Sequence, residues 1–211
     1  MKKILKQIGF LAGLAVLVVI VTIALMPWMD RWGATDDEIA ASFSGDELLP
    51  SPAVTYTRAI TVNATPEEIY PWLVQMGAGK GGMHSYAWFE TNILRCELIN
   101  AGHIHQEWQG LKVGDKVKMC PRDDWGPPAY EVALLKQDQA VVLGHEEDGK
   151  WMDLWQFNLV PQADGTTRLI TRSRDMKTGG IWNVIRPGQF IMERGMLLGI
   201  KERAEAMAQG R

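Results

Sequence analysis

The N-terminal part of the chain is one long apolar run. No charged residue occurs from Gln7 through Met29. As a helix, Ile8 to Met29 would extend roughly 33 Å, which is enough for a hydrocarbon core of about 30 Å. A secretory signal peptide has a shorter apolar core and a small-residue cleavage site, and Ala24 to Trp28 is a poor one. The pattern therefore predicts an uncleaved transmembrane anchor within residues 1–30, which contacts the membrane through residues 4–29.

The charges that flank this run predict its orientation. Three lysines precede it, whereas Arg31 alone follows closely. The positive-inside rule then places the N-terminus in the cytoplasm, and Trp28 and Trp32 stand where interfacial aromatic residues are expected. We expect a single-pass membrane protein whose soluble domain is extracytoplasmic.

The pattern becomes polar after the anchor and then alternates. Residues 31–52 are acidic and rich in turn formers, which is typical of a linker that lifts a domain off the membrane. Residues 53–211 form the predicted soluble domain. Its first strand is Val54 to Val62, because apolar and polar residues alternate there and β-branched side chains are frequent.

Helical signals follow that strand. Thr65 with Glu68 predicts a capping box, Pro71 should kink the helix, and Gly77 should end it. A second short helix is predicted over residues 84–94.

The pattern in the second half of the domain predicts several short strands and one long helix. Turn residues separate the predicted strands, and such spacing favours an antiparallel sheet. These strands are Tyr130–Lys136, Ala140–His145, Asp153–Val160 and Thr166–Ser173. A helix over Gln189–Ala208 follows the breaker Pro187-Gly188, and Gly195 with Gly199 should let it press closely against the sheet.

The amino-acid composition limits the kinds of partner that the protein is expected to bind. The net charge of −3 argues against nucleic acid as a partner, because phosphate binding needs a basic excess. Nine tryptophans and eleven methionines suit an irregular core or the wall of an apolar cavity. Cys96 and Cys120 are the only cysteines. They could form a disulfide in an exported domain or stay as two buried thiols, and both alternatives remain open.

Motifs along the domain resemble those of the SRPBCC superfamily, the START-like and polyketide-cyclase-like proteins. The resemblance covers roughly residues 33 to 208. The motifs include Tyr70-Pro71-Trp72-Leu73-Val74-Gln75-Met76-Gly77, Ser85-Tyr86, Trp88-Phe89-Glu90, Leu111-Lys112-Val113-Gly114-Asp115, Arg172-Ser173-Arg174 and Met192-Glu193-Arg194.

This resemblance implies an α+β helix-grip fold. In such a fold an antiparallel sheet wraps around a long C-terminal helix and encloses a cavity, here preceded by one transmembrane helix. The resemblance also implies a lipid, sterol or polyketide-like ligand, and some members catalyse cyclisation or hydrolysis. Fold alone does not establish function.

Candidate ligand-binding residues come from an aromatic stripe. Trp155 and Phe157 share one face of a predicted strand and should point at the C-terminal helix, where Met192 and Met196 would face them. His84, Tyr86 and Trp88 could close one end of the cavity. The alternative is that the stripe simply fills the core.

Two other motifs are weaker indications of a functional site. Gly77-x-Gly79-x-x-Gly82 matches the dinucleotide fingerprint but lacks the strand–turn–helix context, so we expect a mobile loop. His103-x-His105-x-Glu107 could meet one metal on a strand, yet an exposed polar loop is favoured.

Two further sets of polar residues are candidates for a functional site. Ser85 beside His84 lacks an orienting acid for nucleophilic catalysis. Arg168, Arg172 and Arg174 share one strand face, which we expect to be the solvated side of the sheet; recognition of an anionic ligand or headgroup is the alternative.

The sequence thus predicts a membrane-tethered domain that binds a small hydrophobic ligand in an apolar cavity. No catalytic residue, metal or cofactor is predicted. Two alternatives stay open: a cyclase- or hydrolase-type enzyme that uses the same cavity, and a protein-interaction module with a filled core.

Overall fold

The computed structural model describes residues 2–122, 124 and 126–210. Within these residues there are five α-helices: α1 Lys2–Asp30, α2 Asp36–Ala40, α3 Pro66–Val74, α4 Ala87–Asn92 and α5 Ile181–Ala208. Six strands form the sheet: β1 Val54–Val62, β2 Lys116–Val117, β3 Tyr130–Lys136, β4 Ala140–Glu147, β5 Lys150–Pro161 and β6 Thr167–Asp175.

The strands make one antiparallel sheet in the order β1-β6-β5-β4-β3-β2. Phe157 of β5 lies between Val141 of β4 and Thr171 of β6. Helix α5 packs across the concave face of this sheet beside α3. The fold is therefore α+β with a helix-grip architecture and one N-terminal apolar helix, as the sequence predicted.

The core lies between the concave face and α5. Phe157, Leu169, Leu197 and Ile200 are fully buried in one continuous apolar cluster. Burial of each such side chain contributes about 1.5–3 kcal/mol relative to exposure, so the contact between sheet and α5 is a main source of stability.

The first predicted helix begins where its cap signals place it. The Glu68 backbone N–H donates to the Thr65 side chain, and the Thr65 N–H donates to the Glu68 carboxylate. These two hydrogen bonds form a capping box. Helix α3 contains Pro71 and ends at Val74. Gly77 then pairs with Gly82 in an isolated antiparallel bridge, and the element before these glycines is helix α3, so the preceding strand that dinucleotide binding requires is missing.

Helix α5 is longer than predicted. It begins at Ile181, and Pro187 lies inside it. Proline removes one helical hydrogen bond, but tertiary contacts stabilise the preceding turns. Arg186 forms an ion pair with Asp30 of α1, and Phe190 packs edge-on against Trp28 and Trp32.

The two glycines of α5 contact a different partner from the one predicted. A Cβ on Gly195 would lie 2.6 Å from the Tyr86 ring, and one on Gly199 would overlap the His84 carbonyl oxygen. Ser85 also donates a hydrogen bond to the Met192 carbonyl at 3.0 Å. The glycines therefore bring α5 against the loop of residues 84–86, and not against the sheet.

Residues 31–52, assigned to a linker from the sequence, fold onto the convex face of the sheet. They form α2, which has its own Thr35–Glu38 capping box, and a 3₁₀ turn at Asp46–Leu48. Leu49 is buried there with Val142 and Leu154 in a second apolar cluster.

The arginine row of β6 holds this segment in place. Arg168 pairs with Glu38, whereas Arg172 and Arg174 both pair with Asp46. Arg172 is buried and also donates to three backbone carbonyls of residues 38–41. The expectation of a solvated row was wrong, because residues 31–52 cover it and supply its acceptors.

Cys96 and Cys120 form a disulfide, with their Cα atoms 5.1 Å apart. The bond joins the loop after α4 to the end of the segment that contains β2. Of the two alternatives left open by the sequence, the structure has the disulfide.

Helix α1 includes a segment, Gly9–Asp30, that is long and apolar enough to cross a membrane. Its last turn contacts the domain directly. The Met29 carbonyl accepts a hydrogen bond of 2.7 Å from Arg58 of β1, and Asp30 pairs with Arg186 of α5.

Candidate functional site

The concave face has an aromatic floor at the end nearest the start of α5. The rings of Tyr130 and Trp155 lie 5.7 Å apart, and those of Trp155 and Phe157 lie 4.7 Å apart. Tyr130 and Trp155 are half-buried, whereas Phe157 is fully buried. The floor therefore runs from a partly accessible edge into the apolar core beneath α5.

Polar groups line the edge of this floor. Asp153 and Asp175 are direct cross-strand partners, and Asp153 is also paired with His145 of β4. All three are half-buried, and the His145 ring lies 4.1 Å from that of Tyr130. Since alternate residues of a strand share a face, Asp153 lies on the same side as Trp155 and Phe157.

His145 and Asp153 form a hydrogen-bonded pair. The imidazole Nδ1–H donates to the Asp153 carboxylate at 2.9 Å, and Nε2 lies 3.4 Å from the Pro128 carbonyl oxygen. The bond to Asp153 raises the pKa of His145 above its usual value. This pair can therefore hold a proton on the imidazole at higher pH than a free histidine does.

Burial also raises the pKa values of two neighbouring groups, Tyr130 and Asp175. It raises the pKa of the Tyr130 hydroxyl well above its usual range, and the charge of Asp153 adds to the effect. Burial also raises the pKa of Asp175, and again the Asp153 charge adds to it. The raised pKa values of His145, Tyr130 and Asp175 therefore all favour the protonated forms of these three groups.

A buried ion pair closes the site on the β1 side. Arg58 donates to Glu193 of α5 at 2.5 Å, and Thr171 donates to the other Glu193 oxygen. The guanidinium of Arg58 also lies 5.4 Å from the centre of the Phe190 ring. These contacts fix α5 at its distance from the sheet.

Four of the predicted ligand residues lie along the sheet–α5 contact. Trp155 is half-buried at the floor, whereas Phe157 and Met196 are fully buried in the core. Met192 is half-buried beside Ser85, which donates to its carbonyl. Trp155 is therefore the predicted residue best placed to contact a bound molecule at the partly accessible edge.

The other three predicted residues lie in or just after the loop of residues 84–86, which packs against the glycines of α5. His84 is buried, and its Nε2–H donates to the Trp72 carbonyl at 3.1 Å. Burial lowers the pKa of His84 to about 4, and the charge of Arg203 acts in the same direction. Tyr86 and Trp88 are exposed, so the structure does not bring these three residues to the aromatic floor.

The histidine motif forms a stack. The rings of His103 and His105 lie 4.2 Å apart, those of His105 and Trp108 lie 3.9 Å apart, and His105 bonds Glu107 at 3.1 Å. Among residues 2–122, 124 and 126–210, no group of three or more His, Cys, Asp or Glu side chains could hold a metal ion.

Clefts also open elsewhere among the described residues of the domain. One, of about 620 Å³, lies between the end of α1, α2 and the convex face, and Asp30, Asp46 and Arg172 line it. Another, of about 330 Å³, lies between Trp72, His103 and the last turns of α5. Neither cleft is lined by Trp155, Phe157, Met192 or Met196.

Sequence reasoning missed the polar edge. Asp153 has the same strand parity as Trp155 and Phe157, so the alternation already put it on the concave face. His145 and Tyr130 could not be added, because the register of β4 against β5 and of β3 against β4 is set by tertiary pairing. Asp175 was missed because the predicted last strand ended at Ser173, two residues short.

Fold and site together define an α+β helix-grip domain that carries an N-terminal apolar helix. No family model matches the chain. No curated protein matches it either.

Solved structures with a similar fold exist. The Aha1 dimer from Colwellia psychrerythraea is 21% identical with a TM-score of 0.45, covering 72% of this chain and 96% of its own. The self-sacrificing resistance protein CalC from Micromonospora echinospora is 8% identical with a TM-score of 0.45, covering 72% and 95%. A norcoclaurine synthase point mutant from Thalictrum is 13% identical with a TM-score of 0.43, covering 76% and 99%.

Proposed function

We propose that this protein is a membrane-anchored member of the SRPBCC superfamily that binds a small hydrophobic molecule on its concave face. The observation that carries the proposal is the half-buried aromatic floor of Tyr130 and Trp155, which continues into the core at Phe157. The ligand contacts Trp155 first. It reaches Phe157, Met192 and Met196 where the sheet and α5 separate to admit it.

Two features support affinity at this site. A ligand that covers about 150 Å² of apolar surface gains roughly 4 kcal/mol from burial. His145, Asp153 and Tyr130 offer hydrogen-bonding groups at the edge, which would orient a polar end of the ligand.

The proposed location is a membrane, with the N-terminus in the cytoplasm and the domain outside it. The three lysines before the apolar run support this orientation. The Cys96–Cys120 disulfide supports it independently, since such bonds persist in oxidising compartments.

Photocrosslinking tests the binding site. The full chain in phosphatidylcholine nanodiscs is labelled with a diazirine-bearing fatty alcohol, and the labelled peptides are mapped by mass spectrometry. We expect labels on peptides from β3 and β5. Trp155→Leu should lower their yield roughly tenfold, as a loss of about 1.4 kcal/mol in binding would.

Trp108→Leu is the matched control, because Trp108 stacks on His105 away from the floor. Its labelling should equal that of the unchanged protein. Labels spread evenly over the surface, or a Trp155→Leu protein that labels normally with an unchanged Tm, would contradict this site.

A second candidate function is proton-transfer catalysis of the cyclase or hydrolase type in the same site. The hydrogen-bonded His145–Asp153 pair beside Tyr130 favours it. Molecules that copurify with the protein from its own host would be incubated with it and followed by mass spectrometry. His145→Gln should keep the crosslinks but stop conversion, whereas a ligand left unchanged by the original protein would exclude catalysis on it.

A further inference from the structure

An apolar ridge runs along the outer side of the first half of α5. Val184 is 72% exposed and Ile191 is 48% exposed, and they lie seven residues apart, on the same side of the helix. Gly188 between them has open space where a Cβ would be, and Ile185 beside it is 37% exposed. This ridge faces away from the concave site.

The ridge continues onto α4. Gly195 lies one turn beyond Ile191, and the Tyr86 ring packs where its Cβ would be. Tyr86 is 41% exposed, and Trp88, two residues later, is 70% exposed. We call this surface the α5–α4 patch; it consists of Val184, Ile185, Ile191, Tyr86 and Trp88. Soluble proteins rarely expose large contiguous apolar surfaces without a partner.

The apolar helix α1 ends beside this patch. Trp28 packs against Phe190 with ring centres 5.5 Å apart, and Asp30 pairs with Arg186. Arg186 and Phe190 lie in the same turns of α5 as Val184 and Ile191 but on another face of the helix, so the end of α1 is fixed against the half of α5 that carries the ridge. The end of α1 is also fixed to the sheet, because the Met29 carbonyl accepts a hydrogen bond from Arg58.

The connection after α1 is also tied down. Trp32 packs against Phe190 at 6.1 Å, and the Arg194 guanidinium lies 5.1 Å from the Trp32 ring centre. The domain therefore cannot swing away from the end of α1 without breaking these contacts. A bilayer that α1 crosses would begin within a few helical turns of Val184.

We propose that the α5–α4 patch docks on the surface of the same bilayer that α1 crosses. Val184, Ile185 and Ile191 enter the interface, and the amphipathic rings of Tyr86 and Trp88 sit at the level of the headgroups. The start of α5, which is the end nearest the aromatic floor, then lies on the lipid, and this shortens the path of a hydrophobic ligand from the bilayer to the floor. This inference rests on the proposed anchoring by α1.

Site-directed labelling tests the docking. Single-cysteine substitutions in the full chain are coupled to the environment-sensitive dye NBD and placed in phosphatidylcholine vesicles; the two native cysteines are paired and do not compete. Labels at Val184→Cys and Trp88→Cys should lose most of their emission to doxyl-labelled phosphatidylcholine. Gln137→Cys, exposed in the β3–β4 turn, should lose none.

A label at Val19→Cys, within α1, separates failure of the two proposals. Quenching at Val19 without quenching at Val184 and Trp88 would overturn the docking and leave the anchor intact. Absence of quenching at Val19 would overturn both.

A functional comparison uses ligand uptake. The double variant Val184→Asp/Ile191→Asp should take up the diazirine alcohol from vesicles several-fold more slowly while floating with them as before. Asn183→Asp, an exposed neighbour on another side of α5, should behave as the original protein. Equal uptake rates in both variants, with equal Tm, would overturn the docking.

Discussion

His84 is a buried histidine held in its neutral form. Its Nε2–H bonds the Trp72 carbonyl, its ring packs edge-on against that of Trp72 at 5.6 Å, and its backbone N–H bonds Asn100. Its φ of 54° lies in the left-handed region. Since burial disfavours the imidazolium, the stability of this loop depends on pH.

The first prediction concerns acid stability. The folded pKa of His84, about 4, lies below its unfolded value of 6.5. The stability that depends on neutral His84 is therefore complete above pH 6.5 and lost as pH falls toward 4, by about 3 kcal/mol in total. In His84→Asn, a residue that tolerates positive φ, the Tm measured against pH should lose this slope.

His145→Gln provides the contrast. Because the pKa of His145 is raised, its contribution is complete below pH 6.5 and is lost as pH rises through the folded pKa. Its removal should reduce stability mainly at low pH, opposite to His84→Asn. Two variants with the same pH dependence as the original protein would contradict both assignments.

At the scale of elements, the packing of α5 depends on the absence of side chains. Gly199 faces the His84 carbonyl so closely that any Cβ would overlap it. Gly188, in the same helix, has open space around it. The same substitution should therefore have opposite effects at the two positions.

Alanine at each glycine is the second prediction. Gly199→Ala should destabilise the protein by about 1–3 kcal/mol, because α5 must move away from residues 84–86. Gly188→Ala should stabilise it by about 0.5–1 kcal/mol through helix propensity. Thermal unfolding of the full chain in detergent measures both; equal shifts would show that α5 does not need this close approach.

Residues 31–52 pack on the sheet through charge. Arg172 lies between Asp46 and the backbone carbonyls of residues 38–41, and its guanidinium is 4.6 Å from the Phe43 ring centre. A guanidinium satisfies several acceptors at fixed angles, which an ammonium does not.

The third prediction is that Arg172→Lys loosens this segment selectively. Amide hydrogen exchange should become faster across α2 and the Asp46–Leu48 turn, while protection of β4 and β5 stays the same. Arg122→Lys is the control, since Arg122 pairs only with the exposed Asp124 among the described contacts. Unchanged exchange in α2 would show that apolar contacts of Leu49 suffice.

At the scale of the whole molecule, a disulfide links the loop after α4 to the segment that contains β2. The Cys96–Cys120 bond spans 24 residues of sequence. A cross-link that closes a loop of this length lowers the entropy of the unfolded chain and so stabilises the folded state by about 3 kcal/mol.

The fourth prediction follows from that bond. Cys96→Ser/Cys120→Ser should lower stability by about 3 kcal/mol. In intact cells, a membrane-impermeant maleimide should label neither native cysteine until an impermeant reductant is added. Labelling that needs lysis first would place the domain in the cytoplasm and contradict the proposed orientation.

Local signals determined much of this protein. The Thr65–Glu68 capping box, the limits of β1 and β3, and the apolar run of α1 are properties of neighbouring residues, so the sequence alone predicts them. Periodicity likewise placed Trp155 and Phe157 on the face that packs against α5.

Only the tertiary structure decided which distant groups meet. Pro187 stays within α5 because Arg186 and Phe190 contact α1, and the β6 arginines are buried because residues 31–52 cover them. The His145–Asp153 pair requires the register of β4 against β5. Such contacts join residues far apart in the chain, and local patterns of polarity and propensity carry no information about which of them pair.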